Sequence, residues 1–141
     1  MSKKNIEQYI SYKSKAINIP PRVNVISVID DIEGFRIIFE NEQGGKFYKI
    51  YFEYVMNYRK SREGERSKSL GQLFENNDGS EGILYQVKNS SLIEWFDNEN
   101  LGAKEYYLDP KFRHWAIIAL NDWIDVLSYV EPEVINLSNG E

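Results

Sequence analysis

Residues 23–52 constrain the fold more than any other part of the chain. Residues 23–29 are rich in Val and Ile, and residues 30–34 interrupt them with Asp and Gly. Residues 35–40 resume with the β-branched pair Ile37-Ile38. Asn41, Glu42, Gln43, Gly44 and Gly45 then form a turn cluster, where glycine admits the positive φ that other residues resist. Residues 46–52 alternate Phe47, Lys49 and Tyr51 against Tyr48, Ile50 and Phe52, the period of a strand with two different faces. Interruptions this short cannot hold a crossover, so consecutive strands must run antiparallel. The expectation is an antiparallel meander over 22–58, its alternation running on through Tyr54, Met56 and Tyr58.

The flanking segments are read from period and punctuation. In residues 3–17, Ile6, Tyr9 and Ile10 fall at helix-like spacing, and Ala16 and Ile17 resume it after Lys13, which predicts an N-terminal helix closed by Pro20-Pro21. Residues 59–69 are so polar that they read as a charged loop able to bury almost nothing. Residues 83–87 read as a strand. Ser91 followed by Glu94 has the form of a capping box, predicting a helix over 91–101 that closes near Gly102. Residues 114–128 read as a C-terminal hairpin turning at Asn121-Asp122, because Trp, Ile and Val dominate both runs. The same residues also fit an amphipathic helix with Asn121, Asp122, Asp125 and Tyr129 on its polar side. Pro132 ends that element, and residues 134–137 could add a short edge strand. The fold class is therefore α+β: one antiparallel sheet of about five or six strands, with one or two helices packed on one face.

The chain has 141 residues, the size of a single domain, and buries roughly 68–70% of its unfolded surface. Such a domain needs no disulfide or structural metal to be stable. There is no Cys, which excludes disulfides, thiolate metal sites and cysteine nucleophiles and suits a reducing compartment. No apolar run approaches the roughly 20 residues needed to cross a bilayer, and the N-terminus lacks the apolar core of a signal peptide. These features point to a cytoplasmic protein with no membrane contact. The net charge is −5, unevenly placed: from Ile93 onward ten acidic residues face three basic ones, −7, so residues 1–92 carry +2.

No motif for catalysis, metal or cofactor binding stands out. His114 is the only histidine, has no second ligand at metal-binding spacing, and reads as structural. Glu94 with Asp97, and Asp122 with Asp125, share the i, i+3 spacing of a helix face, but lack a calcium-loop pattern and read as solvated carboxylates. Gly44-Gly45 fits neither phosphate-loop frame. Two surfaces carry binding expectations. Glu94, Trp95, Asp97, Asp122, Trp123 and Asp125 combine aromatic rings with carboxylates, the makeup of an anchor for a basic protein. Arg59, Lys60, Arg62, Arg66 and Lys68, following Tyr54 and Tyr58, offer an alternative polyanion contact, weakened by Glu63 and Glu65.

Residues 91–96, 112–117 and 121–128 (SLIEWF, FRHWAI and NDWIDVLS) resemble a set of small uncharacterised proteins of Firmicutes, and some small acidic proteins of that kind are immunity proteins that neutralise toxins. The resemblance implies a shared fold and carries over no site residue. The leading expectation is a non-enzymatic protein-binding module, immunity- or antitoxin-like, with a basic partner. Nucleic-acid or polyanion binding through residues 59–68 and a carboxylate-based hydrolase are the alternatives. The overall acidity disfavours nucleic acid, and an open sheet edge is compatible with a homodimer.

Overall fold

A computed structural model describes residues 7–12, 19–62, 64, 66, 73 and 82–139. The described strands are β1 (Gln8–Ser11), β2 (Val23–Asp31), β3 (Gly34–Asn41), β4 (Phe47–Phe52), β5 (Asn57–Arg62), β6 (Leu84–Lys88), β7 (Arg113–Ile118), β8 (Asp122–Ser128) and β9 (Glu133–Asn136). One helix is described along its length, α1 (Ser91–Glu99). The chain is mainly β and broadly α+β. It forms two antiparallel sheets rather than one, a five-stranded sheet in the order β1-β6-β7-β8-β5 and a four-stranded sheet in the order β2-β3-β4-β9.

The reason for two sheets lies in β7 and β8. Their burial is nearly continuous along the strand instead of alternating, so both faces of the central hairpin need cover. One face holds Trp115, Ile117, Ile124 and Val126, which share a core with Val23, Phe35, Ile37, Phe39, Ile50 and Phe52 of the four-stranded sheet. Each fully buried side chain of this kind contributes about 1.5–3 kcal/mol. The other face holds Trp123 and Ala116 with Tyr9, Tyr85 and Val87, and Leu127, against which α1 packs Leu92 and Ile93 together with Tyr106 and Phe112.

Three expectations are corrected. The residues predicted as an N-terminal helix include Gln8–Ser11, which are a strand; Tyr9 is buried while its neighbour Ile10 is exposed, the alternation of an edge strand paired with β6. The rest of 3–17 is described only at Glu7 and Tyr12. The meander stops at Phe52, because the chain then leaves the four-stranded sheet, and Asn57–Arg62 pair with β8 in the other one. Residues 59–62 of the supposed charged loop are therefore strand, while residues 63, 65 and 67–69 lie outside the described residues.

The helix begins as its capping chemistry dictates, one residue earlier than the sequence suggests. Ser90 is the N-cap, its Oγ accepting from the Ile93 amide at 3.0 Å. Ser91 forms no capping box with Glu94. Its amide and hydroxyl both donate to Glu7 Oε2, at 2.8 Å each. At the other end the Gly102 amide, at φ +67°, donates to the Asp97 carbonyl at 2.8 Å. Strands β7 and β8 are joined by a turn at residues 119–121, closed by the Ala119 amide donating to the Asp122 carbonyl.

Candidate functional site

Among the described residues, Asp125 gathers contacts from two arginines and a histidine. Alternation along β8 puts Trp123, Asp125 and Leu127 on the face away from the four-stranded sheet. Ala116 lies directly opposite Asp125 on β7, and Arg59 directly opposite on β5. Asp125 is 0% exposed, and a carboxylate so placed needs its lone pairs filled. Oδ2 accepts from Arg59 Nε at 3.0 Å and Arg66 Nη1 at 2.8 Å. Oδ1 bonds His114 Nε2 at 2.7 Å and accepts from Trp123 Nε1 at 3.1 Å. Arg66 also lies over the Trp123 ring, 4.5 Å from its centroid. Burial works to raise the Asp125 pKa. The hydrogen bond and charge of His114, then the charge and hydrogen bond of Arg66, outweigh it and hold the carboxyl well below the usual carboxylate range.

From Asp125 the network runs through His114 to the start of α1. His114 is 1% exposed, and its Nδ1 lies 2.7 Å from Ser90 Oγ. Ser90 and His114 line a cleft of 670 Å³, together with Glu94 and Asp97 of α1 and Tyr107 and Asp109 of the segment that follows. Two of its carboxylates are spent on backbone amides: Asp97 Oδ1 accepts from Tyr106 and Asp109 Oδ1 from Lys111.

The six residues expected to form an acidic aromatic surface do not form one. Glu94 and Trp95 are exposed on α1. Asp97, on the same helix, is buried. Trp123 and Asp125 are fully buried in the five-stranded sheet, and Asp122, at the hairpin turn, pairs with Lys60 at 3.0 Å. The reading of Asp122 and Asp125 as solvated carboxylates is thus corrected, because β5 brings cations to both. That same pairing engages most of the expected polyanion contact: Arg59 and Arg66 bind Asp125, Lys60 binds Asp122, and Arg62 is exposed at the end of β5. Lys68 lies outside the described residues.

Sequence reasoning missed Ser90 and the join between Ser90, His114 and Asp125. No local motif marks it, since the residues are 24 and 11 positions apart. The one usable signal was Asn89-Ser90 ahead of a helix, a residue pair suited to a sharp turn and a cap. Among the described residues no cluster of His, Asp and Glu is placed to hold a metal ion, and no helix is long and apolar enough to cross a membrane. No family model, curated protein or solved structure matches the chain.

Proposed function

We propose that this chain is a protein-binding module, of the immunity or antitoxin-like type, that takes a basic partner on the outer face of α1. One observation carries the reading: Trp95 is 49% exposed on a helix whose other side is anchored in the core. Its ring is tilted on Phe96, with centroids 6.4 Å apart, and Phe96 stacks on Phe112. An exposed tryptophan held on a rigid aromatic stack loses little entropy on binding, which is the makeup of an interface hot spot. Glu94 stands beside it in the sequence and is exposed, and Leu101, Tyr107 and Leu108 of the following segment are exposed as well. The acidic balance of the C-terminal third suits a basic partner, chiefly by raising the encounter rate.

The test is affinity capture from native lysate after nuclease treatment, run in parallel with wild type, Trp95→Ala and Glu94→Lys. The expected result is one protein retained stoichiometrically by wild type. Its affinity should fall at least about 30-fold with Trp95→Ala, the loss typical of a hot-spot tryptophan. Equal retention by all three proteins would remove this face from the interface. Loss of every bound species on nuclease treatment would transfer the reading to polyanion binding.

A further inference from the structure

The contacts around His114 fix the hydrogen on Nε2 and aim Nδ1 at Ser90. Asp125 also accepts from two arginines and can only accept from His114, so Nε2 carries a ring hydrogen. In the neutral form of the ring Nδ1 keeps its lone pair, 2.7 Å from Ser90 Oγ, and accepts the hydroxyl hydrogen; this is the form that can act as a base. Ser90 Oγ in turn accepts from the Ile93 amide. A serine hydroxyl that donates to a positioned imidazole has a general base in place for attack.

The backbone delivers that hydroxyl to the cleft. β6 ends at Lys88, Asn89 takes a left-handed conformation at φ +56°, and Ser90 follows immediately as the cap of α1. Asparagine tolerates this geometry better than most residues, and the sharp strand-to-helix turn leaves Ser90 partly exposed on the cleft wall. A cap alone would need neither the histidine nor the cleft.

We propose that Ser90 is an acyl-accepting nucleophile for activated carboxylic esters entering this cleft, with His114 as its general base. As the bond from Oγ to the acyl carbon forms, the hydroxyl proton passes to His114 Nδ1. The carbon–oxygen bond to the alcohol then breaks, and the departing alcohol takes the proton from Nδ1. The products are a Ser90 ester and a free alcohol, and water releases the acyl group as acid by the same route.

The amides nearby set the speed. The Ser91 amide is committed to Glu7, that of Ile93 to Ser90 Oγ, and that of Glu94 to the Ser90 carbonyl. None of these three is available to a developing oxyanion, and one such donor is typically worth about 10²–10³ in rate. Ser90 is therefore expected to acylate once and release slowly, giving a stoichiometric adduct rather than rapid turnover. This inference does not rest on the protein-binding reading, which turns on Trp95, although Glu94 and Tyr107 border both surfaces.

The experiment is treatment of the whole chain with p-nitrophenyl acetate, with acetylated positions mapped by peptide mass spectrometry over time. Folded wild type is compared with urea-unfolded wild type, His114→Gln and Ser90→Asn, the last keeping a good cap while removing the hydroxyl. Ser90 should acetylate at least about a hundredfold faster in the folded chain than in the unfolded one, the smaller end of what a positioned base supplies. His114→Gln should lose that advantage, and Ser90→Asn should show no adduct at residue 90. An unmodified Ser90 in folded wild type, or equal rates in folded and unfolded chain, would overturn the proposal even if His114→Gln does not fold.

Discussion

Arg59 and Asp125 stand directly opposite each other across the β5–β8 pair, with Arg59 Nε 3.0 Å from Asp125 Oδ2. The arginine is half in solvent, while the carboxylate is fully buried and shared with Arg66 and His114. Replacing Asp125 with Asn would leave buried cationic and N–H donors facing a neutral amide. Breaking a buried pair from one side typically costs about 3–5 kcal/mol. Asp125→Asn is expected to lose stability in that range by urea unfolding. Arg59→Ala should lose less, because Arg66 still holds Oδ2; a loss for Asp125→Asn below about 1 kcal/mol would mean that the network contributes little to folding.

Asp125 also ties stability to pH. Its folded pKa is depressed, so the folded chain takes up this proton less readily than the unfolded chain does. The stabilisation is complete above the unfolded value of about 3.9 and is lost as pH falls through the folded value. The melting temperature should therefore hold between about pH 5 and 7 and drop below about pH 4. Asp31 and Glu42, held low by hydrogen bonds from Arg36 and Arg22, add to the same acid limb. Asp125→Asn should show a shallower limb, and a limb parallel to wild type would assign the acid sensitivity elsewhere.

Gly34 closes the β2–β3 turn at φ +116°, with the Tyr51 ring against it. A Cβ at this position would stand 2.6 Å from Tyr51 Cε1. Gly34→Ala combines an unfavourable backbone conformation with a ring that must move, and should cost more than about 1 kcal/mol. Gly45 also has positive φ, but has open space around its Cβ position. Gly45→Ala should lose less than Gly34→Ala in the same thermal unfolding measurement.

The three tryptophans give an internal report on α1. Trp115 and Trp123 are fully buried, whereas Trp95 is half exposed. Acrylamide should quench one class of tryptophan readily and the rest poorly, and Trp95→Phe should remove the quenchable class. Binding of a partner to the outer face of α1 should protect that class in wild type. Quenching that persists in Trp95→Phe would show that a second tryptophan is reached by solvent.

Most of the local structure is legible in the order of the residues. The Val- and Ile-rich runs and turn clusters of residues 23–52 specify β2, β3 and β4, and the Trp- and Ile-rich runs flanking Asn121-Asp122 favour strands over the alternative helix. Serines ahead of an apolar run mark the start of α1 to within one residue. What that order could not determine is which surface covers each face. Period reports that a strand has two faces, but the partners come from far along the chain: Arg59 and Arg66 reach Asp125 across 66 and 59 positions. Composition made residues 59–62 look like a loop and Asp125 look solvated, and pairing β5 with β8 reversed both at once. Tyr9 and Ile10 carried a helix-like spacing that the open edge of β6 overrode, because a paired strand satisfies backbone groups that a short helix would leave at its ends. Only the tertiary structure brought Ser90, His114 and Asp125 into one hydrogen-bonded line, since that line depends on the helix packing over a particular face of a particular pair of strands.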